Sequence, residues 1–161
     1  MNRSEYLEAV NKVMYQGEVL GEAIFSCYVA LEQDAERRYK WGTLLQLETE
    51  TKARLRPFLT QLGLSVAEND ARDRIVDFVK SFASKSWQAH MEEIVKITDL
   101  FIGKFREIEK AAPEKEREVA HSMVVHESAI QKFAQLELAS DAAKSLNEVI
   151  VQLRYPLVKP A

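Results

Sequence analysis

Four stretches of this chain, residues 4–31, 34–62, 86–111 and 113–139, carry apolar residues three and four positions apart over nearly equal lengths. That period puts side chains on one face of an α-helix. At ~1.5 Å of rise per residue, each stretch spans roughly 40 Å. Helices of matched length that each bury one stripe cover one another as a bundle. The composition agrees: 47% of residues are hydrophobic and 29% charged, with 5 glycines and 4 prolines to interrupt helices. The chain is therefore read as all-α and, at 161 residues, as a single helical-bundle domain over 1–161.

The individual helices have their own start and stop signals. Ser4 is the expected N-cap of the first, with Glu5 and Glu8 in its opening turn and Tyr6, Val10, Met14, Gly21, Phe25 and Tyr28 on the inner stripe. The second carries Trp41, Leu44, Leu45, Leu55, Phe58 and Leu59 inward and ends at Gly63. Pro57 should bend it near that end. Trp87, Met91, Ile94, Ile97, Phe101, Phe105 and Ile108 line one side of the third, and Pro113 suits the first turn of the fourth. A shorter fifth helix is expected from the Ser140-Asp141 cap to just before Pro156.

Short links make antiparallel hairpins of the first pair and the last pair of long helices. Between them, residues 63–85 include an amphipathic piece with Arg74, Ile75, Phe78, Val79 and Phe82. A segment of that length can travel along the bundle as one long crossover with a short helix in it. A simple up-down-up-down bundle with a side helix is the alternative.

Charge and cysteine usage narrow the function. A formal net charge of −3, with no basic cluster, argues against nucleic acid as a partner. No apolar stretch approaches the ~20 residues needed to span a bilayer, and the N-terminus lacks a signal-peptide pattern, so no membrane association and a cytoplasmic location are expected. Cys27 is the single cysteine. It permits no internal disulfide, cysteine-rich zinc site or iron–sulfur cluster, and is read as a packing residue. Homodimerisation is expected on general grounds for a helical bundle.

Several polar residues fall on stripes that should be core. Glu18, in Gly17-Glu18-Val19-Leu20-Gly21, lies on the face of Met14, Gly21 and Phe25; Glu48 is similarly placed on the second helix, and His126-Glu127 on the fourth. A buried carboxylate needs something to balance its charge. Acids and an imidazole converging inside a bundle are raw material for a metal site. Each residue also has a plainer reading. Glu18 could tilt to the bundle edge, Glu48 could sit on a solvated face or pair with Lys52, and His126 could be a buried histidine bonded to a neighbouring helix. Glu22 reads as the outer flank of the first helix, His90 and His121 as surface or boundary residues, and Tyr15 and Tyr28 as core aromatics.

This arrangement resembles the ferritin-like superfamily, most closely its rubrerythrin and bacterioferritin type. Gly17-Glu18, Gly21 and Phe25 match its first-helix pattern, Glu48 its second-helix glutamate, and His126-Glu127 with Phe133 its fourth-helix motif. The resemblance implies a ferritin-like four-helix bundle, bound iron or manganese, and O₂- or peroxide-dependent oxidoreductase chemistry. Two positions depart from it: Thr51 stands where a histidine is implied and Met123 where a glutamate is, while Glu92, Glu93 and Asp99 compete for the third-helix ligand. A di-iron site normally takes four carboxylates and two imidazoles, so this set is short for two ions. One metal on Glu18, Glu48, His126 and Glu127 is the reading that fits. The alternative is a metal-free bundle acting as a binding or scaffolding module, with an apolar ligand inside or a partner docked on an exposed stripe or on the tail at Tyr155–Val158.

Overall fold

The computed structural model describes residues 1–139 and 141–159. Helix α1 (Arg3–Ala9) continues without a break through a π-helical stretch, Val10–Tyr15, into α2 (Gln16–Leu31). Its cap is Asn2, not Ser4. The Asn2 side chain accepts the Glu5 N–H, and the Glu5 carboxylate accepts the Asn2 N–H. That reciprocal box needs an acid three residues after the cap, which Asn2 has and Ser4 lacks. The π stretch was not expected. Its wider turn carries the Gln16 N–H back to the Asn11 carbonyl, and the sequence neighbours Met14 and Tyr15 are both fully buried there.

Helix α3 (Ala35–Gln61) is capped by Asp34, whose side chain accepts the Arg37 N–H, and it runs on through the exposed Pro57. Gly63, at φ +71°, closes it. Its N–H bonds to the Thr60 carbonyl and that of Leu64 to Leu59, a paired closure that requires a left-handed residue at position 63. Helix α4 (Arg72–Phe82) lies within the link to α5 (Trp87–Ala111), which Ser86 caps. Helix α6 (Glu114–Leu138) follows Pro113.

The expected fifth helix is much reduced. Ser140 lies outside the described residues, and the Asp141 side chain makes no cap. In its place the chain forms a 3₁₀ turn, Ala142–Lys144, and a single turn, α7 (Asn147–Ile150). The tail beyond it is held by α3: the Glu50 carboxylate accepts the N–H groups of Arg154 and Tyr155 at 2.6 and 2.9 Å.

Two apolar clusters define how the helices run. One gathers Tyr6, Val10 and Met14 with Leu55, Phe58 and Leu59, Phe105 and Ile108, and Ala120 and Met123. The other gathers Phe25 and Tyr28 with Trp41, Leu44 and Leu47, Met91, and Ile130 and Phe133. The start of α1 and the start of α6 thus share one end with the finishes of α3 and α5. The first and last long helices run one way, and α3 and α5 the other. Residues 63–85 therefore travel the length of the bundle, and the up-down-up-down alternative is set aside. Helix α4 lies along α2. No helix among the described residues is long and apolar enough to cross a membrane.

Candidate metal centre

Between the two apolar clusters lies a polar layer. Glu18 reaches it from α2, Glu48 and Thr51 from α3, and His126 and Glu127 from α6; all five are buried. Glu18, Glu48 and His126 are 2, 5 and 0% exposed, so the readings that placed Glu18 at the bundle edge and Glu48 on a solvated face do not hold. Lys52 does not pair with Glu48. Its ammonium bridges Glu22 and Glu68, tying α2 and the crossover to α3.

Glu48 fits against α2 because Gly21 faces it. A β-carbon built at Gly21 would lie 2.6 Å from the Glu48 carboxyl carbon and 2.6 and 2.8 Å from its oxygens, closer than side-chain atoms pack. The small residue one turn after Glu18 is therefore the space that admits the acid of the next helix.

His126 Nε2 stands 3.4 Å from Glu18 Oε2 and 3.7 Å from Glu48 Oε1. One ligand atom from each of the three lies within 4.8 Å of the others. Glu18 Oε2 and His126 Nε2 are buried without a hydrogen-bond partner among the described residues. On the other edge of the ring, Nδ1 is 3.1 Å from Thr51 Oγ1, so the residue that replaces the implied histidine orients the histidine that is present. Glu127 lines the cavity beside the layer but falls outside the close group of three.

The electrostatics are those of a site lacking positive charge. Burial, then the nearby Glu48 and Glu127 carboxylates and a hydrogen bond to Glu48, hold the Glu18 carboxyl well above the usual carboxylate range, with Arg54 a minor opposing influence. Burial and then Glu48 raise Glu127 in the same way. Acids crowded in a low-dielectric layer keep protons or take up a cation.

The third-helix ligand implied by the resemblance is not supplied. On α5, Glu92 and Asp99 are exposed and Glu93 accepts from Lys85 Nζ at 2.6 Å. Glu93 lines the cavity along with Ile97, Thr98 and Phe101, but it is not one of the close group of three. His121 is exposed and bonds Glu109, as its boundary assignment anticipates. His90 is not a boundary residue: it is buried among Tyr28, Trp41 and Phe82. The Tyr15 hydroxyl donates to the Val66 carbonyl in the crossover.

The fold and this layer together define an all-helical bundle with a buried carboxylate–histidine group at mid-height. In comparisons with known proteins, no family model, no curated protein and no solved structure matches the chain.

Proposed function

We propose that the chain is a metal-binding bundle of ferritin-like type in which Glu18, Glu48 and His126 hold one iron or manganese ion, with Glu127 as an adjoining acid, and that it acts in O₂- or peroxide-dependent oxidation. The observation that carries the reading is the pair of buried, unpartnered atoms, Glu18 Oε2 and His126 Nε2, converging with a Glu48 oxygen. A divalent cation satisfies both atoms and offsets the carboxylate charge, and this mixed oxygen and nitrogen set suits first-row metals.

Glu18, Glu48 and His126 would hold the ion, which would supply redox chemistry when bound. The chain's own residues do the rest. Thr51 holds the His126 ring so that Nε2 points into the layer. Glu127, whose carboxyl is held above the usual carboxylate range in the metal-free layer by burial and then by Glu48, adjoins the three ligands as a group that can give a proton at its carboxyl oxygen and take it back. The apolar clusters cover the layer at both ends of the bundle, and the apolar walls of the adjoining cavity limit water on its open side.

The test is metal content by mass spectrometry, on protein purified without chelators and on stripped protein reloaded anaerobically with Fe(II) or Mn(II). About one ion per chain, lost in Glu18→Ala and His126→Ala, is the supporting result. Metal at wild-type stoichiometry in either variant removes that residue from the set, and none in any preparation overturns the reading. The second reading, a metal-free binding module, draws on the apolar cavity beside the layer. The two diverge on chelation, which lowers the melting temperature only of a bundle that held metal.

A further inference from the structure

A cavity of about 340 Å³ extends from the carboxylate layer between α2, α4 and α5. Glu18, Glu48 and Glu127 floor one end. Leu20, Ile24, Ile94 and Ile97 wall the middle, Phe101 lies beside Gly17 at the acid end, and His90 with Glu93 lies at the other. Among the lining residues, Arg74 and Leu100 are exposed and mark where the cavity meets solvent. An apolar space of this kind does not hold water well, because a buried water needs polar partners along its walls. Its volume falls within the ~300–1,000 Å³ range of small-molecule pockets.

His90 gives the space a direction. It is 4% exposed, and its Nδ1 has no hydrogen-bond partner among the described residues. Burial first, opposed by hydrogen bonding toward the Phe82 carbonyl, sets its pKa below the ordinary histidine value, so the ring is neutral near pH 7. In the tautomer that carries its N–H on Nε2, the unpartnered Nδ1 is a buried acceptor in an aromatic cage of Tyr28, Trp41 and Phe82, whose ring centroids lie 5.2, 5.8 and 4.8 Å away. A buried acceptor without a donor is costly, and a neutral O–H on a ligand relieves it. Tyr28, packed on His90, is ten residues along α2 from Glu18, about 15 Å of helix. The cavity is therefore long for its volume and fits an extended chain better than a fused ring system. An extended chain of about ten heavy atoms, nine bonds of ~1.5 Å shortened by their zigzag, spans roughly 11 Å and fits within that length.

We propose that this cavity binds a linear aliphatic alcohol of about ten heavy atoms, its hydroxyl donating to His90 Nδ1 and its hydrocarbon end lying against the Glu18, Glu48 and His126 layer. Calling that molecule the substrate rests on the metal reading above; its binding does not.

The experiment is isothermal titration calorimetry with 1-nonanol and with nonanoate, on metal-loaded and on chelator-stripped protein. Saturable binding of one nonanol per chain is expected, with nonanoate at least about tenfold weaker because a carboxylate cannot donate to His90 Nδ1 and meets Glu93 at that end and three acids at the other. His90→Phe keeps an aromatic in the cage and removes the acceptor. It should weaken nonanol about tenfold, while His90→Gln, which restores an acceptor oxygen, should regain most of the affinity. Ile97→Phe, which fills the middle of the cavity, should abolish binding in a protein whose circular dichroism is unchanged. Unsaturable heats with nonanol, or equal affinity in wild type and a folded His90→Phe variant, overturn the proposal. Nonanol bound by protein that never retains metal supports the cavity and sinks the metal reading alone; retained metal without nonanol binding does the reverse.

Discussion

Thr51 Oγ1 and His126 Nδ1 meet at 3.1 Å inside the bundle, and that contact sets what the imidazole presents to the two acids. If Nδ1–H donates to the hydroxyl oxygen, the Nε2 lone pair faces Glu18 and Glu48, as a cation requires. If the hydroxyl donates to Nδ1, an N–H faces them, as a metal-free layer requires. One threonine serves both states because a hydroxyl can donate or accept.

Removing that hydroxyl should loosen the site without dismantling the fold. Thr51→Val is expected to lower metal affinity about 10–100-fold, the usual effect of losing a partner that orients a ligating histidine. It should also lower stability by about 1–3 kcal/mol, because Nδ1 is left buried without a partner. Thr51→Ser should recover most of both. Competition titration against a metal indicator, paired with urea unfolding, measures the two effects, and wild-type affinity in the valine variant would deny Thr51 its orienting role.

Gly21 and Gly17 provide a matched pair of substitutions on one helix. A β-carbon at Gly21 overlaps the Glu48 carboxyl group, whereas one at Gly17 meets nothing nearer than the Phe101 ring at 3.9 Å. Gly21→Ala should push the flexible end of Glu48 out of the layer and lose bound metal, with little net change in stability because alanine's helix gain of about 0.5–1 kcal/mol offsets the repacking. Gly17→Ala should keep metal and gain about 0.5–1 kcal/mol, since alanine favours helix over glycine. Metal stoichiometry and melting temperature of the two variants, side by side, check the contrast.

The raised carboxyls predict an unusual pH response in stripped protein. Between the ordinary carboxylate range and their raised native values, Glu18 and Glu127 are protonated in the fold and ionised in the unfolded chain. The fold then binds more protons, so their contribution is fully present below the ordinary range and is lost as pH rises through the native values. The acids held low by cations, Glu68 beside Lys52 and Glu116 beside Arg3, act the other way but in a more acidic window. Stripped protein should therefore melt higher at pH 5 than at pH 8. Metal-loaded protein should reverse that order, because binding requires ionised carboxylates. Equal melting temperatures at the two pH values in stripped protein would mean that neither acid keeps its proton.

The helical period revealed the four long helices and the inward placement of Glu18 and His126, because burial of one stripe dictates both. The run Glu48-Thr49-Glu50-Thr51-Lys52 was harder to read, since all five residues are polar and the period alone does not sort them. In the fold Glu48 enters the layer, Thr49 donates to Glu22, Glu50 holds the tail, Thr51 orients His126 and Lys52 bridges Glu22 and Glu68. Every one of these partners lies outside α3, so no local pattern carries the information. The π turn was hidden for a related reason. It changes which residues face inward without altering composition, and the adjacent buried pair Met14 and Tyr15 was its one trace in sequence. His90 was misplaced because the aromatics that enclose it come from three different helices and a histidine carries no burial preference strong enough to announce them.

Gln16 shows how the cover of the cavity is fastened. Its side-chain amide donates to the Ala67 carbonyl at 2.9 Å and accepts the Asn69 N–H at 3.0 Å, clasping the crossover just before α4 begins. Gln16→Ala removes both bonds, leaving a backbone donor and acceptor to water at a loss of about 1–2 kcal/mol. Lys52 with Glu68, and the Tyr15 hydroxyl with Val66, still anchor the same segment, so the effect should stay local. The expected outcome is faster amide exchange at Asn69 and through α4, unchanged exchange in the middle of α3 and α6, and full metal retention. Acceleration spread evenly over all helices would instead show that the crossover is part of the cooperative core, and that α4 does not loosen from the bundle independently of it.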